Sequence, residues 1–106
     1  MYIVGVSACP TGVAHTYLAA EALTKAFTAK HHQIKIETQG ASGIENEITP
    51  EEIKKADFVI LTKDIAIKGE ERFTGKKIVK VMSGVAIQKA NGIVKKIEEA
   101  QKNLNN

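Results

Sequence analysis

Apolar and polar residues follow two patterns along the chain, and together these patterns predict four strands. Two segments, Tyr2–Ser7 and Asp57–Thr62, are nearly continuous apolar runs, which is typical of strands covered on both faces. Two others, Gln33–Thr38 and Lys77–Val81, alternate apolar with polar residues, which indicates strands at the less covered edges of a sheet. The sequence therefore predicts two central strands and two edge strands.

Apolar residues spaced three and four apart predict helices between these strands. The first helix is expected from Val13 to about Ala29. Its predicted apolar face comprises Val13, Tyr17, Ala20, Leu23 and Phe27. The string Thr49-Pro50-Glu51-Glu52 has the order of an N-cap, a first-turn proline and a capping-box glutamate, and this short helix should end near Ala56. From about Val85 the pattern predicts one long amphipathic helix.

The order of these elements predicts an α/β fold. Residues 64–75 stay ambiguous, since Ile65 and Ile67 alternate as in a strand while Glu70–Arg72 resembles a helical turn. The remaining elements predict a doubly wound, four-stranded parallel sheet with helices on both faces, which is Rossmann-like. Right-handed crossovers with the apolar strands at the centre give the strand order 2-1-3-4. A ligand site is expected beyond the carboxyl ends of the first and third strands, where the chain reverses direction.

Composition and charge narrow the class of function. The 106 residues suit one domain, and we assign residues 1–103 to it and residues 104–106 to a polar tail or the start of a linker. The sequence has neither an apolar run long enough for a membrane span nor a secretory signal, so a cytoplasmic location without direct membrane insertion is expected. The net charge of +3 is spread over Lys/Glu mixtures, which does not predict nucleic-acid binding. One cysteine excludes an internal disulfide and a multi-thiolate metal site, and no metal is expected.

The single cysteine, Cys9, lies between the end of the first strand and the start of the first helix. The turn sequence Pro10-Thr11-Gly12 follows it. Backbone N–H groups and the positive end of a helix dipole at such a position favour a bound anion and the thiolate form of cysteine. These features predict that Cys9 is a nucleophile that takes up an anionic group, with phosphoryl as the candidate.

The spacing from Cys9 to His15 equals the spacing in the Cys-x5-Arg loop of cysteine phosphatases, in which the arginine clamps the phosphoryl oxygens. The loop length therefore suits a phosphate, but the bidentate clamp is missing. His15 is a candidate for hydrogen bonding to the phosphoryl group or for shaping the loop, and a simple helix-surface role is the alternative. Thr11 and Thr16 are candidate hydroxyl donors to phosphoryl oxygens, and for Thr16 an ordinary helix position is equally open.

The string Cys9-Pro10-Thr11-Gly12-Val13-Ala14-His15-Thr16 resembles the loop of the fructose-type IIB domains of the bacterial phosphoenolpyruvate-dependent sugar phosphotransferase system (PTS). The resemblance covers nearly the whole chain and continues through Ile36–Gly43, Ile48–Ile53, Ala56–Ile60, Asp64 and Arg72–Lys76. One departure is Thr62, where a small residue is expected, and it puts the local packing in question.

The resemblance implies a phosphoryl relay with no metal or organic cofactor. Cys9 would accept phosphate from a phosphohistidine on a IIA domain and pass it to a sugar, with fructose expected, at the membrane IIC component. The chain would then be a protein-phosphohistidine–sugar phosphotransferase, associated with the inner face of the membrane through IIC. The phosphate-binding loop would consist of Pro10, Thr11, Gly12, Val13, Ala14, His15 and Thr16.

Polar and glycine residues after two strands are candidate partner contacts. They are Gln39, Gly40, Ser42, Gly43 and Asp64. For Asp64, N-capping of the segment that follows it is the favoured alternative. His31-His32 is expected in an exposed turn at the opposite end of the sheet.

Two other functions stay open from the residues alone. A low-molecular-weight phosphatase-like enzyme would suit the loop length, but the loop lacks the arginine. A thiol redox module would suit a reactive cysteine, but neither a resolving cysteine nor a Cys-x-x-Cys motif is present.

Overall fold

The two apolar strands lie at the centre of the sheet, as their composition predicts. The computed structural model describes residues 1–8, 13–40 and 43–104. The strands are β1 (Tyr2–Ser7), β2 (Gln33–Gly40), β3 (Gly43–Glu45), β4 (Phe58–Thr62) and β5 (Ile78–Val81). They form one sheet in the order β3-β2-β1-β4-β5. All pairs are parallel except β2 with β3, which is antiparallel. The α/β class and the predicted order 2-1-3-4, now β2-β1-β4-β5, are confirmed.

The predicted count of four strands was wrong because it missed β3. This strand has three residues, and all three are exposed. A segment this short and this exposed shows no alternation of buried and polar residues, so periodicity could not reveal it. Its antiparallel pairing makes the sheet mixed, with β3 at one edge and β5 at the other.

The first two helices have nearly the predicted bounds. They are α1 (Val13–Ala29) and α2 (Pro50–Lys55), and α2 begins with the predicted capping box on Thr49. The buried face of α1 includes Leu23 and Phe27, as predicted, but Tyr17 is 39% exposed. The hydroxyl of Tyr17 donates to Glu45 of β3, so this residue covers the sheet edge instead of the core.

The predicted long helix after β5 is two helices, α3 (Ser83–Gln88) and α4 (Ala90–Leu104). The break is at Lys89, which has φ −128° and ψ 33°. The break lets Ala86 of α3 and Ile97 of α4 share one buried cluster. Helix α4 continues to Leu104, the first residue that we assigned to a tail, and the domain boundary itself stays a prediction.

Side chains on the two faces of the sheet form two apolar clusters. One contains Ile3 and Ile60 with residues of α1, α3 and α4, and the other contains Val4 and Leu61 with residues near α2. The ambiguous segment contributes a 3-10 turn, Glu70–Phe73, to the second cluster. Both faces are therefore covered, which accounts for the continuous apolar runs of β1 and β4.

The turn between α1 and β2 lies at the amino-terminal edge of the parallel strands, opposite the edge where β1 ends at Ser7. His31 is exposed there and has a φ of 65°. The prediction that His32 is also exposed was wrong, because its side chain is only 13% exposed. Its Nε2 lies 2.7 Å from Oε2 of Glu98, and its Nδ1 lies 3.3 Å from the amino group of Met1. In the part of the chain that the structure describes, no helix is long and apolar enough to cross a membrane.

Candidate active site

The carboxyl ends of β1 and β4 meet at the edge of the sheet where the sequence places the cysteine. Ala8, which directly precedes Cys9, is 1% exposed and continues from β1. The predicted site residues Cys9, Pro10, Thr11, Gly12 and Ser42 lie outside the described residues, as do the side chains of Val13 and Ala14. Their roles therefore stay predictions, and the described residues around them define the frame of the site.

Buried hydroxyl groups fix the chain on both sides of residues 9–12. The hydroxyl of Ser7 donates to the backbone carbonyl of Thr16 in the first turn of α1, at 2.9 Å. The hydroxyl of Thr62, at the end of β4, accepts from the Ala8 amide at 2.9 Å and donates to the Ala8 carbonyl at 3.0 Å. Ser7, Thr16 and Thr62 are each at least 95% buried. The entry and exit of the cysteine loop are thus held to the sheet.

The same contacts resolve the question that Thr62 raised in the sequence. A small residue is expected at this position, and a threonine adds a methyl and a hydroxyl group. Thr62 is nonetheless 4% exposed and its hydroxyl group makes two backbone hydrogen bonds to Ala8. Because its polar atom is fully used and its methyl group is buried, the departure fits the packing.

His15 and Asp64, two of the predicted site residues, are brought together by a third residue. The carboxylate of Asp64 accepts from the Ser83 backbone amide at 2.7 Å and from the Ser83 hydroxyl at 2.9 Å. The same hydroxyl oxygen lies 3.1 Å from Nδ1 of His15. Ser83 is fully buried at the start of α3. We call this arrangement the Asp64–Ser83–His15 chain.

The Asp64–Ser83–His15 hydrogen bonds correct the expected role of Asp64. They also add Ser83, a site residue that the sequence analysis missed. Asp64 does not cap the segment that follows it in sequence, since its carboxylate binds the first residue of α3. Ser83 was not predicted, although a serine two residues after the fourth predicted strand and before a helix gives a signal at the right edge of the sheet. What the sequence could not supply is the pairing of positions 15, 64 and 83, which are far apart along the chain.

Most of the other candidate contact residues line one cleft beside Ala8. The cleft has a volume of about 260 Å³ and opens between the facing ends of β2 and β3 on one side and residues 65–68 on the other. Its lining residues are Ala8, Gln39, Gly40, Gly43, Ile44, Ile65, Ala66 and Lys68. The Gln39 side chain donates to the Lys68 carbonyl at 2.9 Å and accepts from the Lys68 amide at 2.8 Å. Gln39 therefore ties the two walls together, whereas Asp64 contacts α3 and does not line this cleft.

The wall formed by residues 65–73 is anchored by a buried ion pair that the sequence analysis also missed. Glu37 is one of the polar residues in the alternating segment Gln33–Thr38, which predicts exposure at a sheet edge. Its side chain is nonetheless fully buried. Arg72, the only arginine in the sequence, binds both carboxylate oxygens through NH1 at 2.8 Å and NH2 at 2.7 Å. Burial opposes the charge of Glu37, but these bonds and those from Gln39 and the Ile48 amide hold the pKa of the carboxyl below its usual value.

Among the described residues, no group of three or more His, Cys, Asp or Glu side chains is placed to hold a metal ion. The polar side chains described beside the cysteine loop include the hydroxyls of Ser7, Thr62 and Ser83, the imidazole of His15 and the carboxylate of Asp64. Such groups can orient an anion and move a proton next to the cysteine loop, which is what phosphoryl transfer requires.

The chain is similar in sequence to known proteins of one family. The family model described as "PTS system, Lactose/Cellobiose specific IIB subunit" matches residues 4–102. The chain is 58% identical over 96 residues to the PTS system fructose-like EIIB component 2 of Escherichia coli, covering 91% of each protein. It is 49% identical over 87 residues to the fructose-specific EIIB'BC component of Vibrio cholerae, where the match spans 82% of this chain and 15% of that protein.

The fold of a solved relative is also similar over nearly the full length. The solution structure of an Enzyme IIB subunit of the PTS from Escherichia coli K12 superposes with a TM-score of 0.92 at 36% identity, covering 99% of this chain and 97% of that one. The chain therefore belongs to the IIB family of the sugar phosphotransferase system, and its relatives are fructose-like. This family membership gives it a general role in PTS sugar phosphotransfer.

Proposed function

We propose that this chain is a phosphoryl carrier of the PTS and that Cys9 is the residue that carries the phosphoryl group. The observation that carries the proposal is the fixing of both ends of the cysteine loop by buried hydroxyl groups. Ala8 and Thr16 bracket the loop, and each is held by a hydrogen bond from another strand or strand end. Preorganised loop ends suit a nucleophile that must meet a partner's phosphoryl group in line.

The reaction has two transfers that conserve one phosphoryl group. In the first, the Cys9 thiolate attacks the phosphorus of a phosphohistidine on a IIA domain. A sulfur–phosphorus bond forms, the nitrogen–phosphorus bond breaks, and the donor imidazole leaves with the bonding electron pair. In the second, a sugar hydroxyl group attacks the same phosphorus and gives its proton to a base of the IIC component or to water. An oxygen–phosphorus bond forms, the sulfur–phosphorus bond breaks, and the Cys9 thiolate leaves with the bonding electron pair. The chain is then regenerated unchanged.

The relatives support the partners and the sugar. A fructose-specific relative carries its matching region inside a much longer EIIB'BC protein, and a fructose-like relative does so inside an EIIBC protein. These fusions support the membrane IIC component as the acceptor partner, which would place this chain in the cytoplasm at the inner face of the membrane. We propose fructose or a closely related sugar as the final acceptor, because the relatives are described as fructose-specific or fructose-like.

The surface around the cleft suits a partner that binds and leaves. Ile44 and Ile65 line it and are 43% and 42% exposed, so it has an apolar component. Lys68 adds a positive charge at its rim. We propose that Gln39, Gly40, Ser42 and Gly43, with residues 65–68, form the contact surface for IIA. Small interfaces of this kind are typical of transient complexes, and the lysine excess would steer an acidic partner.

The phosphatase alternative would need a cation like the arginine of the Cys-x5-Arg loop. The only arginine of the chain, Arg72, has both terminal nitrogens bound to Glu37. An arginine in that state is engaged in the fold, and a carrier must in any case keep its phosphoryl group away from water. The relay is therefore the function that we infer.

The test is phosphoryl transfer from a phosphorylated IIA partner to wild-type chain and to Cys9→Ala. We expect the wild type to become labelled and the variant, with an unchanged circular dichroism spectrum, to stay unlabelled. His15, His31 and His32 are conceivable acceptors, so labelling of a folded Cys9→Ala variant would refute the assignment.

A further inference from the structure

The Asp64–Ser83–His15 chain joins three elements that are remote in sequence. His15 is in the first turn of α1, Asp64 follows β4, and Ser83 is the first residue of α3. The carboxylate of Asp64 is therefore connected, through the Ser83 hydroxyl, to the imidazole of His15, which belongs to the predicted phosphate-binding loop.

The direction of each hydrogen bond follows from the chemistry of the groups. A carboxylate has no proton to donate, so the hydroxyl group of Ser83 donates to Oδ2 of Asp64 at 2.9 Å. A hydroxyl group has one proton, so its oxygen must act as the acceptor toward Nδ1 of His15 at 3.1 Å. Nδ1 of His15 therefore carries a proton.

The protonation of Nδ1 decides what the other ring nitrogen does. In a neutral imidazole only one nitrogen carries a proton, so Nε2 is the nitrogen that gains or loses one. The buried hydroxyl of Ser83, held in turn by Asp64, therefore fixes which nitrogen is protonated in the neutral ring.

We propose that Ser83 and Asp64 are positioning residues for phosphoryl transfer. They hold the His15 ring in one orientation and in its Nδ1-protonated form, so that Nε2 is the ring nitrogen that can exchange a proton beside the predicted phosphate-binding loop. This inference rests on the proposed function, because it assumes that the loop holds a phosphoryl group.

The first test reads the ring nitrogens of His15 by long-range proton–nitrogen NMR in the unphosphorylated protein. The neutral ring of the wild type should be protonated on Nδ1. In Asp64→Asn the new amide can accept from the Ser83 backbone N–H and donate to the Ser83 hydroxyl oxygen. The hydroxyl proton is then free to point at Nδ1, and we expect the neutral ring to change to the Nε2-protonated form.

Two further variants separate this effect from a general loss of structure. Ser83→Ala removes the acceptor of the Nδ1 proton, so the fraction of the neutral ring that is protonated on Nδ1 should fall. Ser7→Ala removes another fully buried hydroxyl group at the same edge but has no bond to His15, so the ring should keep the wild-type form.

The second test measures the rate of phosphoryl transfer from phosphorylated IIA. Asp64→Asn should slow transfer by about tenfold, which corresponds to about 1.4 kcal/mol, because the His15 ring is no longer held in the Nδ1-protonated form. Asp57→Asn is the matched control, since Asp57 accepts from the Tyr2 amide at the opposite edge of the sheet. Its transfer rate should equal that of the wild type.

A neutral wild-type ring protonated on Nε2 would overturn the inference. So would Asp64→Asn and Ser83→Ala variants that change the ring form but transfer phosphate as fast as the wild type. A wild type that forms no phosphocysteine at all would overturn the proposed function and this inference with it. The ring spectrum distinguishes the two failures, because it needs no phosphoryl group.

Discussion

Replacing Thr62 with valine tests whether the hydroxyl group at the end of β4 holds the entry to the cysteine loop. Valine has nearly the same shape as threonine and lacks the hydroxyl group. The variant therefore loses the hydrogen bond from the Ala8 amide at 2.9 Å and the one to the Ala8 carbonyl at 3.0 Å. Both residues are at least 95% buried, so water has little access to replace these bonds.

The size of the effect follows from the two bonds. An unsatisfied buried N–H costs about 1–3 kcal/mol, and an ordinary intramolecular hydrogen bond contributes about 1 kcal/mol. We expect Thr62→Val to lower the free energy of unfolding by about 2–3 kcal/mol. For a domain of this size that corresponds to a decrease in Tm of about 10–20 °C.

Thermal and denaturant unfolding of Thr62→Val and Thr62→Ser provide the assay. Serine keeps the hydroxyl group and loses only a buried methyl group, so it should cost about 1 kcal/mol. Thr24→Val, on the exposed face of α1, should change stability by less than about 0.5 kcal/mol. Thr62→Val should also accept phosphate from IIA more slowly than Thr62→Ser, because Ala8 directly precedes Cys9. Equal destabilisation by valine and serine would show that packing, and not the hydroxyl group, holds the loop.

Three further predictions follow from the site. His15→Arg restores the Cys-x5-Arg spacing, so it should raise the negligible hydrolysis of aryl phosphates modestly and slow exchange with IIA; rapid multiple-turnover hydrolysis by the wild type would contradict the carrier assignment. Glu37→Gln should lower the free energy of unfolding at neutral pH by about 3 kcal/mol, since it leaves Arg72 without its charged partner. Because the pKa of Glu37 is held below its usual value, its contribution to stability is complete above the unfolded-state pKa and is lost as pH falls through the folded-state pKa, so wild type and variant should converge in acid. Adding IIA should shift the amide NMR signals of Gly40, Gly43 and residues 65–68, and association should slow as salt rises. Shifts centred on His31 would instead place the interface at the amino-terminal edge of the sheet and contradict this prediction.

The sequence was most informative where the physical signal is local. The apolar runs of β1 and β4, the capping box on Thr49 and the cysteine between a strand and a helix each depend on neighbouring residues. These signals were enough to predict the strand order and the edge of the sheet that carries the site.

What the sequence could not predict depends on tertiary pairing. Glu37 has the pattern of an exposed edge residue, and its burial is made favourable by Arg72, 35 positions away, together with Gln39 and the Ile48 amide. Ser83 joins His15 to Asp64 across three elements, and no spacing rule connects such positions. The break at Lys89 interrupts a continuous amphipathic pattern, although residues of α3 and of α4 belong to the same buried cluster.

The central claim is that Cys9 carries the phosphoryl group, and intact-mass spectrometry after mixing with a phosphorylated IIA partner tests it most directly. The account predicts a mass increase of one phosphoryl group, fragmentation that locates it on Cys9, and its loss when the IIC component and a sugar are added. A phosphoryl group located on His15, His31 or His32, or an unchanged mass with an active donor, would contradict it.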